Sequence, residues 1–272
     1  MNQVPSPLTY VSSYDPKLRR KLIGALELAT GRKKIQQRYD QLQAMELAPI
    51  DIWRTSLTLL EVEPVLDPVQ LAKVPSEGPL VFIANHPFGV VDGLILGDLV
   101  ARVRTKFSIL VNEVLCRQDE RMNEFLLPVD FQESKRAIRT NLATRQKALE
   151  QLAQGHAVAI FPSGGVATSP RAFAKAEDLD WKRFTAKLIQ KSKATVVPVF
   201  FHGRNSRLFQ IASHVHETLR MGMLLNEVRN KMGRQIRLTV GDPIPFEALA
   251  PIRDRQALID ELRKITFELG KQ

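Results

Sequence analysis

Apolar positions follow two regimes along this chain, and the change comes near Pro79. Upstream, they recur at helical spacing. Leu18, Leu22, Ala25, Leu26 and Ala29 repeat along one helix that begins at Pro16, with Lys17, Arg19, Arg20 and Lys21 between and beside them. Gly31 fits a helix stop, and Arg32, Lys33 and Lys34 follow it. A second helix is predicted over Ile35 to Ala48, and a third carries Trp53, Leu57, Leu59 and Leu60. Residues 1–16 read as loose and 64–78 as a connector.

Downstream of Pro79, short continuous apolar runs alternate with helical stretches. Pro79–Ala84, Lys106–Val111, Phe125–Phe131, Ala157–Phe161, Thr195–Phe201 and Gln235–Val240 predict strands. Such runs, ending at turn-forming residues, suit strands buried on both faces. Pro198 inside one of them points to an edge or bulge position. Helices are predicted through Leu94–Val100, over Ser134–Gln154 and Asp180–Lys191, and from about Asp254. The alternation argues for an α/β fold: a mostly parallel central sheet flanked by helices, with a helical N-terminal extension. Residues 1–63 form that extension in this reading, and 64–272 the α/β domain.

Composition narrows the function. Of 272 residues, 44% are hydrophobic, enough for a large core. Lys and Arg number 39 against 29 Asp and Glu, a net charge of +10 that suits an anionic partner. Aromatics are only 7% and no recognition motif is visible, which argues against nucleic acid. Cys116 is the sole cysteine, so an internal disulfide and a thiolate zinc cluster are excluded. It reads as a buried thiol. No apolar run approaches the ~20 residues that span a bilayer. Met1–Pro7 lacks the charged-then-apolar form of a signal peptide. The expected location is cytoplasmic, with any work on lipid done from the inner membrane surface. Neither a Gly-x-Ser-x-Gly elbow nor a phosphate-binding Gly-x4-Gly-Lys-Ser/Thr loop is present.

The candidate chemistry lies in Asn85-His86-Pro87-Phe88-Gly89-Val90-Val91-Asp92-Gly93. His86 falls at the C-terminal end of a predicted strand, where open α/β sheets place ligands. A carboxylate beside an imidazole fixes its tautomer and stabilises the imidazolium, leaving the other ring nitrogen as a general base. The competing reading makes Asp92 a helix cap and His86 a turn histidine. His214 and His216 read as surface residues on a helix.

The motif resembles the first block of the glycerophospholipid acyltransferase superfamily, of the 1-acylglycerol-3-phosphate type, which carries Asn-His-x4-Asp. Here five residues separate His86 from Asp92, a variant similar to the haemolysin-like or ornithine-lipid acyltransferase branch. Phe161-Pro162-Ser163-Gly164-Gly165 resembles the third block, and Val196-Val197-Pro198-Val199 the fourth. Phe201-His202-Gly203-Arg204-Asn205-Ser206 and Val240-Gly241-Asp242-Pro243-Ile244-Pro245 resemble later segments of that branch. The third-block glutamate is missing, with Ser163 or Gly165 in its place, and the second-block arginine has no clean equivalent.

The resemblance implies an O-acyltransferase of phospholipid biosynthesis. It would move a fatty acyl group from acyl-CoA or acyl-carrier protein directly to a lysophospholipid or similar lyso-lipid, with no acyl-enzyme. It implies His86 as base and Asp92 as its partner. Asn85, Gly89, Ser163, Gly164 and Gly165 are expected to line the substrate site, the glycines offering backbone donors for an oxyanion. Arg117 and Arg171 are candidates for an anionic head group, with Arg136 and Arg139 as substitutes. Neither cofactor nor metal is expected. A lipid-binding relative without activity and an acyl-thioester hydrolase are the rival classes.

Overall fold

The computed structural model describes residues 16–29, 31–117, 120–130, 134–171 and 174–271. Seven strands form one sheet: β1 (Glu63–Val65), β2 (Leu80–Ala84), β3 (Phe107–Asn112), β4 (Leu126–Val129), β5 (Ala157–Ile160), β6 (Thr195–Phe201) and β7 (Gln235–Val240). Their order is β1-β7-β6-β2-β5-β3-β4. The five strands from β6 to β4 are mutually parallel. β7 runs antiparallel to β6, and β1 is parallel to β7.

The helices are α1 (Lys17–Ala29), α2 (Arg32–Gln43), α3 (Ile52–Leu59), α4 (Pro68–Ala72), α5 (Val90–Ala101), α6 (Lys135–Ala153), α7 (Arg183–Ser192), α8 (Arg207–Val215), α9 (Glu217–Lys231), α10 (Phe246–Leu249) and α11 (Arg255–Glu268). Alternate residues of one strand enter different cores. Leu80, Phe82 and Ala84 join a cluster with α3, α5 and α9, whereas Val81 and Ile83 join one with α6, α7 and α11. Both faces of β2 are thus buried, which is why its sequence is continuously apolar.

The connections decide where a site can form. β2 leaves through α5 to β3, and β5 leaves through α7 to β6. α5 and α7 lie on opposite faces of the sheet. β2 and β5 are neighbours, so a crevice opens between their C-terminal ends, at the switch point where α/β sheets bind ligands.

Several expectations need correcting. The second helix begins at Arg32, directly after Gly31 at φ 107°, and stops at Gln43. Ala48 is extended, as the residue before Pro49 prefers to be. Of the two positions open to Pro198 it takes the bulge and not the edge, because β6 lies between β2 and β7. The β6–β7 ladder gains one residue there: Val199 pairs with Val240, but Val196 bridges Ile244. Pro198, which has no N–H, faces that bulge and accepts the Gly241 N–H at 2.8 Å. β1 lies at the start of the stretch read as a connector; three residues carry no periodicity. The N-terminal helices are present as expected, with α1 and α2 packed on α9 and α3 on α5. The expectations for residues 1–15 and for Phe131 lie outside the described residues.

Candidate active site

His86 follows β2 by two residues, and Asp92 lies in the first turn of α5. The turn between them is tight because Gly89 adopts φ 94° at the helix N-cap. Asp92 is fully buried, and its Oδ1 stands 3.1 Å from His86 Nδ1. Its Oδ2 accepts the Phe88 N–H at 2.8 Å. Gly89, not Asp92, is the N-cap; Asp92 reaches back over the turn from inside the helix. The His86–Asp92 contact lies within ion-pair reach but is not aligned as a hydrogen bond, and neither atom has another hydrogen-bond partner.

The imidazole also stacks on Phe161, which follows β5, with centroids 4.0 Å apart and planes 23° apart. The stack spans the switch-point crevice. A cavity of 690 Å³ opens from it, lined by His86, Gly89, Phe161, Gly164, Gly165 and Arg220 at this end. Trp53, Leu59, Leu60 and Leu94 line it on one face of the sheet, and Thr144 and Phe184 on the other. Most of the lining is apolar, as a fatty chain requires.

The expected site residues do not all reach this cavity. Asn85 ties strand ends together: its Nδ2 donates to the Phe201 carbonyl at 3.0 Å and its Oδ1 accepts the Phe201 N–H at 2.7 Å. Ser163 is buried, and its hydroxyl donates to the Gly165 carbonyl at 3.0 Å. The Gly164 N–H is occupied by the Phe161 carbonyl at 2.9 Å. Arg171 is exposed and does not line the cavity. Arg136 is paired with Glu113 and with Asp130, each at 2.7 Å. Arg139 is exposed on α6 and donates to the Lys135 carbonyl at 3.4 Å. The Arg117 side chain lies outside the described residues.

Sequence reasoning missed three charged residues around the His86 turn and the cavity. Asp178 accepts the His86 backbone N–H at 3.0 Å and the Trp181 indole N–H at 3.1 Å. Burial raises its carboxyl above the ordinary range, and the charge of Asp92 adds to this; the N–H donors and the His86 imidazole oppose it. Arg220, on α9, donates to the Val166 carbonyl at 2.7 Å beside Gly165 and lies over the Phe209 ring. Lys231 lies over the Phe88 ring, and burial lowers its pKa while Glu227 pulls it back up. None of these falls in a motif block, and tertiary folding alone brings them to the turn. The segment Gly203–Ser206 is structural: Ser206 caps α8 and bonds the buried Glu227 through its backbone N–H and its hydroxyl. Among the described residues, no group of three or more His, Cys, Asp or Glu could hold a metal ion.

Comparisons with known proteins give the family. The chain is 28% identical over 210 residues to a lyso-glycine lipid O-acyltransferase of Phocaeicola vulgatus, covering 73% of this chain and 71% of that one. It is 29% identical over 210 residues to a protein of the same name from Bacteroides thetaiotaomicron, covering 73% of each. Its fold matches the crystal structure of the 1-acyl-sn-glycerophosphate acyltransferase PlsC from Thermotoga maritima with a TM-score of 0.54. That match covers 94% of this chain and 96% of the other at 14% identity, so it speaks to fold alone. A family model described as an acyltransferase matches residues 32–271. The chain belongs to that acyltransferase family.

Proposed function

We propose that the protein transfers a fatty acyl group from a thioester of coenzyme A or acyl-carrier protein to the hydroxyl of a lyso-lipid. The observation that carries this reading is the His86–Asp92 pair, set at the switch-point mouth of a long apolar cavity. Asp92 faces Nδ1 and favours the tautomer protonated there, which leaves Nε2 for the acceptor hydroxyl. As the hydroxyl oxygen attacks the thioester carbon, its proton passes to Nε2. The carbon–sulfur bond then breaks, and the leaving thiolate takes the proton from the imidazolium. The Gly165 N–H, at the cavity wall, is the donor assigned to the developing oxyanion.

The acceptor class follows the relatives, whose names specify a lyso-glycine lipid. Such a lipid carries an anionic head group. Arg220 and Lys182 line the cavity and are assigned to it, in place of Arg171. The acceptor would come from a membrane surface. Among the described residues, no helix is long and apolar enough to cross a membrane. Two helices present apolar side chains outward instead: α1 through Leu18 and Leu22, at 72% and 48% exposure, and α8 through Leu208, Ile211 and Val215.

A labelled acyl donor, incubated with and without lyso-lipid acceptors, tests the reading. Labelled diacyl product that depends on acceptor is expected. Free fatty acid alone would make the protein a thioesterase, and no turnover of any donor would leave a binding protein.

A further inference from the structure

His86 is gripped by its backbone as well as by its ring. Its N–H donates to Asp178 Oδ1 at 3.0 Å, and its carbonyl accepts the Ala167 N–H at 2.8 Å. Both partners belong to one excursion of chain between β5 and α7. That excursion closes on itself where Thr168 and Glu177 form an antiparallel bridge, with N–H···O bonds of 2.9 and 3.1 Å. The bridge places Ala167 and Asp178 side by side against the His86 turn. Trp181, itself buried, holds the other Asp178 oxygen.

A peptide N–H does not require a carboxylate. A neutral carbonyl would satisfy it without burying a charge, and burying a charge is costly. Asp178 is nonetheless 7% exposed and electrostatically coupled to both His86 and Asp92. His86 therefore has two buried carboxylates as neighbours, one across its ring and one behind its backbone.

On the acyl-transfer reading above, we propose that Asp178 is a positioning residue for His86. It fixes the turn that carries the imidazole and so holds the ring against Asp92 at the mouth of the cavity. The charged groups about this turn are Asp92 from α5, Asp178 from the excursion, Lys182 at the start of α7, and Arg220 and Lys231 from α9. Removing the Asp178 acceptor frees the His86 N–H and loosens the turn that carries the ring.

The test is kcat and both Michaelis constants for D178A, D178N, D178E and W181F. D178A removes the acceptor of the His86 N–H, and its kcat is expected to fall about tenfold, a part of what a general base contributes, with the donor KM unchanged. D178N keeps an oxygen for that N–H and is expected to recover most of the lost kcat, whereas D178E displaces the oxygens and stays low. W181F keeps the Asp178–His86 contact, and its kcat stays near wild type. A folded D178A with wild-type kcat overturns the proposal. So does a W181F kcat that falls as far as that of D178A, which would make the effect one of packing. If D178A does not fold, wild-type kcat in folded D178E overturns it. The reading beneath fails separately: an active H86A would remove the base itself, whatever Asp178 does.

Discussion

Asp92 Oδ1 faces His86 Nδ1 across 3.1 Å while the other oxygen of the same carboxylate takes the Phe88 N–H. The side chain therefore has two separable duties. One is to hold the turn, which any acceptor at that position can do. The other is to face a proton-carrying ring with a negative charge, which only the carboxylate can do.

Substitutions divide the two. Asp92→Asn keeps an oxygen for Phe88 and loses the charge. It is expected to melt near wild type and to lose about 10²-fold or more in kcat, the scale of general-base catalysis. His86→Ala should lose at least as much. Thermal melting alongside steady-state kinetics decides. A folded D92N with normal turnover and a lowered Tm would leave Asp92 as a turn anchor only.

Arg220 carries the second prediction. Arg220→Ala is expected to raise the KM for an anionic lyso-lipid about tenfold, since a charge-assisted hydrogen bond contributes about 1.5–3 kcal/mol. The KM for the thioester and for an uncharged monoacyl acceptor should hold. Arg171→Ala should change neither, because that side chain is exposed away from the cavity. Arg220 also orients the Gly165 turn through Val166. An R220A variant that loses thioester affinity as well would assign it to the turn instead.

Gly97 tests the packing behind the site. It faces the Trp53 indole so closely that a Cβ would overlap the ring. Trp53 is 2% exposed and packs against both Phe107 and Phe125, which hold its ring in place. In an exposed helix, Gly→Ala would stabilise by about 1 kcal/mol. Here overpacking is expected to dominate, with a net loss of about 1–3 kcal/mol. Denaturant melts of G97A should show a lower midpoint at unchanged slope; a higher midpoint would mean that Trp53 yields.

What the sequence disclosed follows from distance along the chain. His86 and Asp92 share one turn, so their pairing is written in adjacent residues. β2, β5 and β6 were legible because burial on both faces makes a continuous apolar run. Asp178 stands 92 residues from His86 and arrives through a loop without periodicity, so no local pattern announces it. Arg220 looks like any cation on an amphipathic helix until α9 is placed over the third-block turn. The arginines nearest the motifs were the natural candidates, yet Arg136 is consumed by Glu113 and Asp130. The apolar stripe of α1 was legible, but which part faces solvent was not. Ile23 turns inward and Leu26 packs on Gly222 of α9, while Leu18 and Leu22 remain outside.

That split shapes the membrane prediction. Deleting residues 1–34 would strip a face that α9 needs, so point substitutions are the cleaner probe. Leu18→Glu with Leu22→Glu tests α1, whose Lys17, Arg20 and Lys21 are also exposed. Leu208→Glu with Ile211→Glu tests α8, where Arg204 and Arg207 are exposed beside the stripe. Each cation near an anionic bilayer contributes about 1 kcal/mol, screened by salt. Wild-type protein is therefore expected to sediment with phosphatidylglycerol vesicles at low salt, to release at high salt and to ignore phosphatidylcholine. Each double variant should bind these vesicles more weakly yet keep its activity on acceptor dispersed in detergent, because neither stripe lines the cavity. Sedimentation equal to wild type in both would remove these helices as the anchor. Loss of the detergent activity would instead place the stripe within the catalytic body, where exposure alone would not have located it.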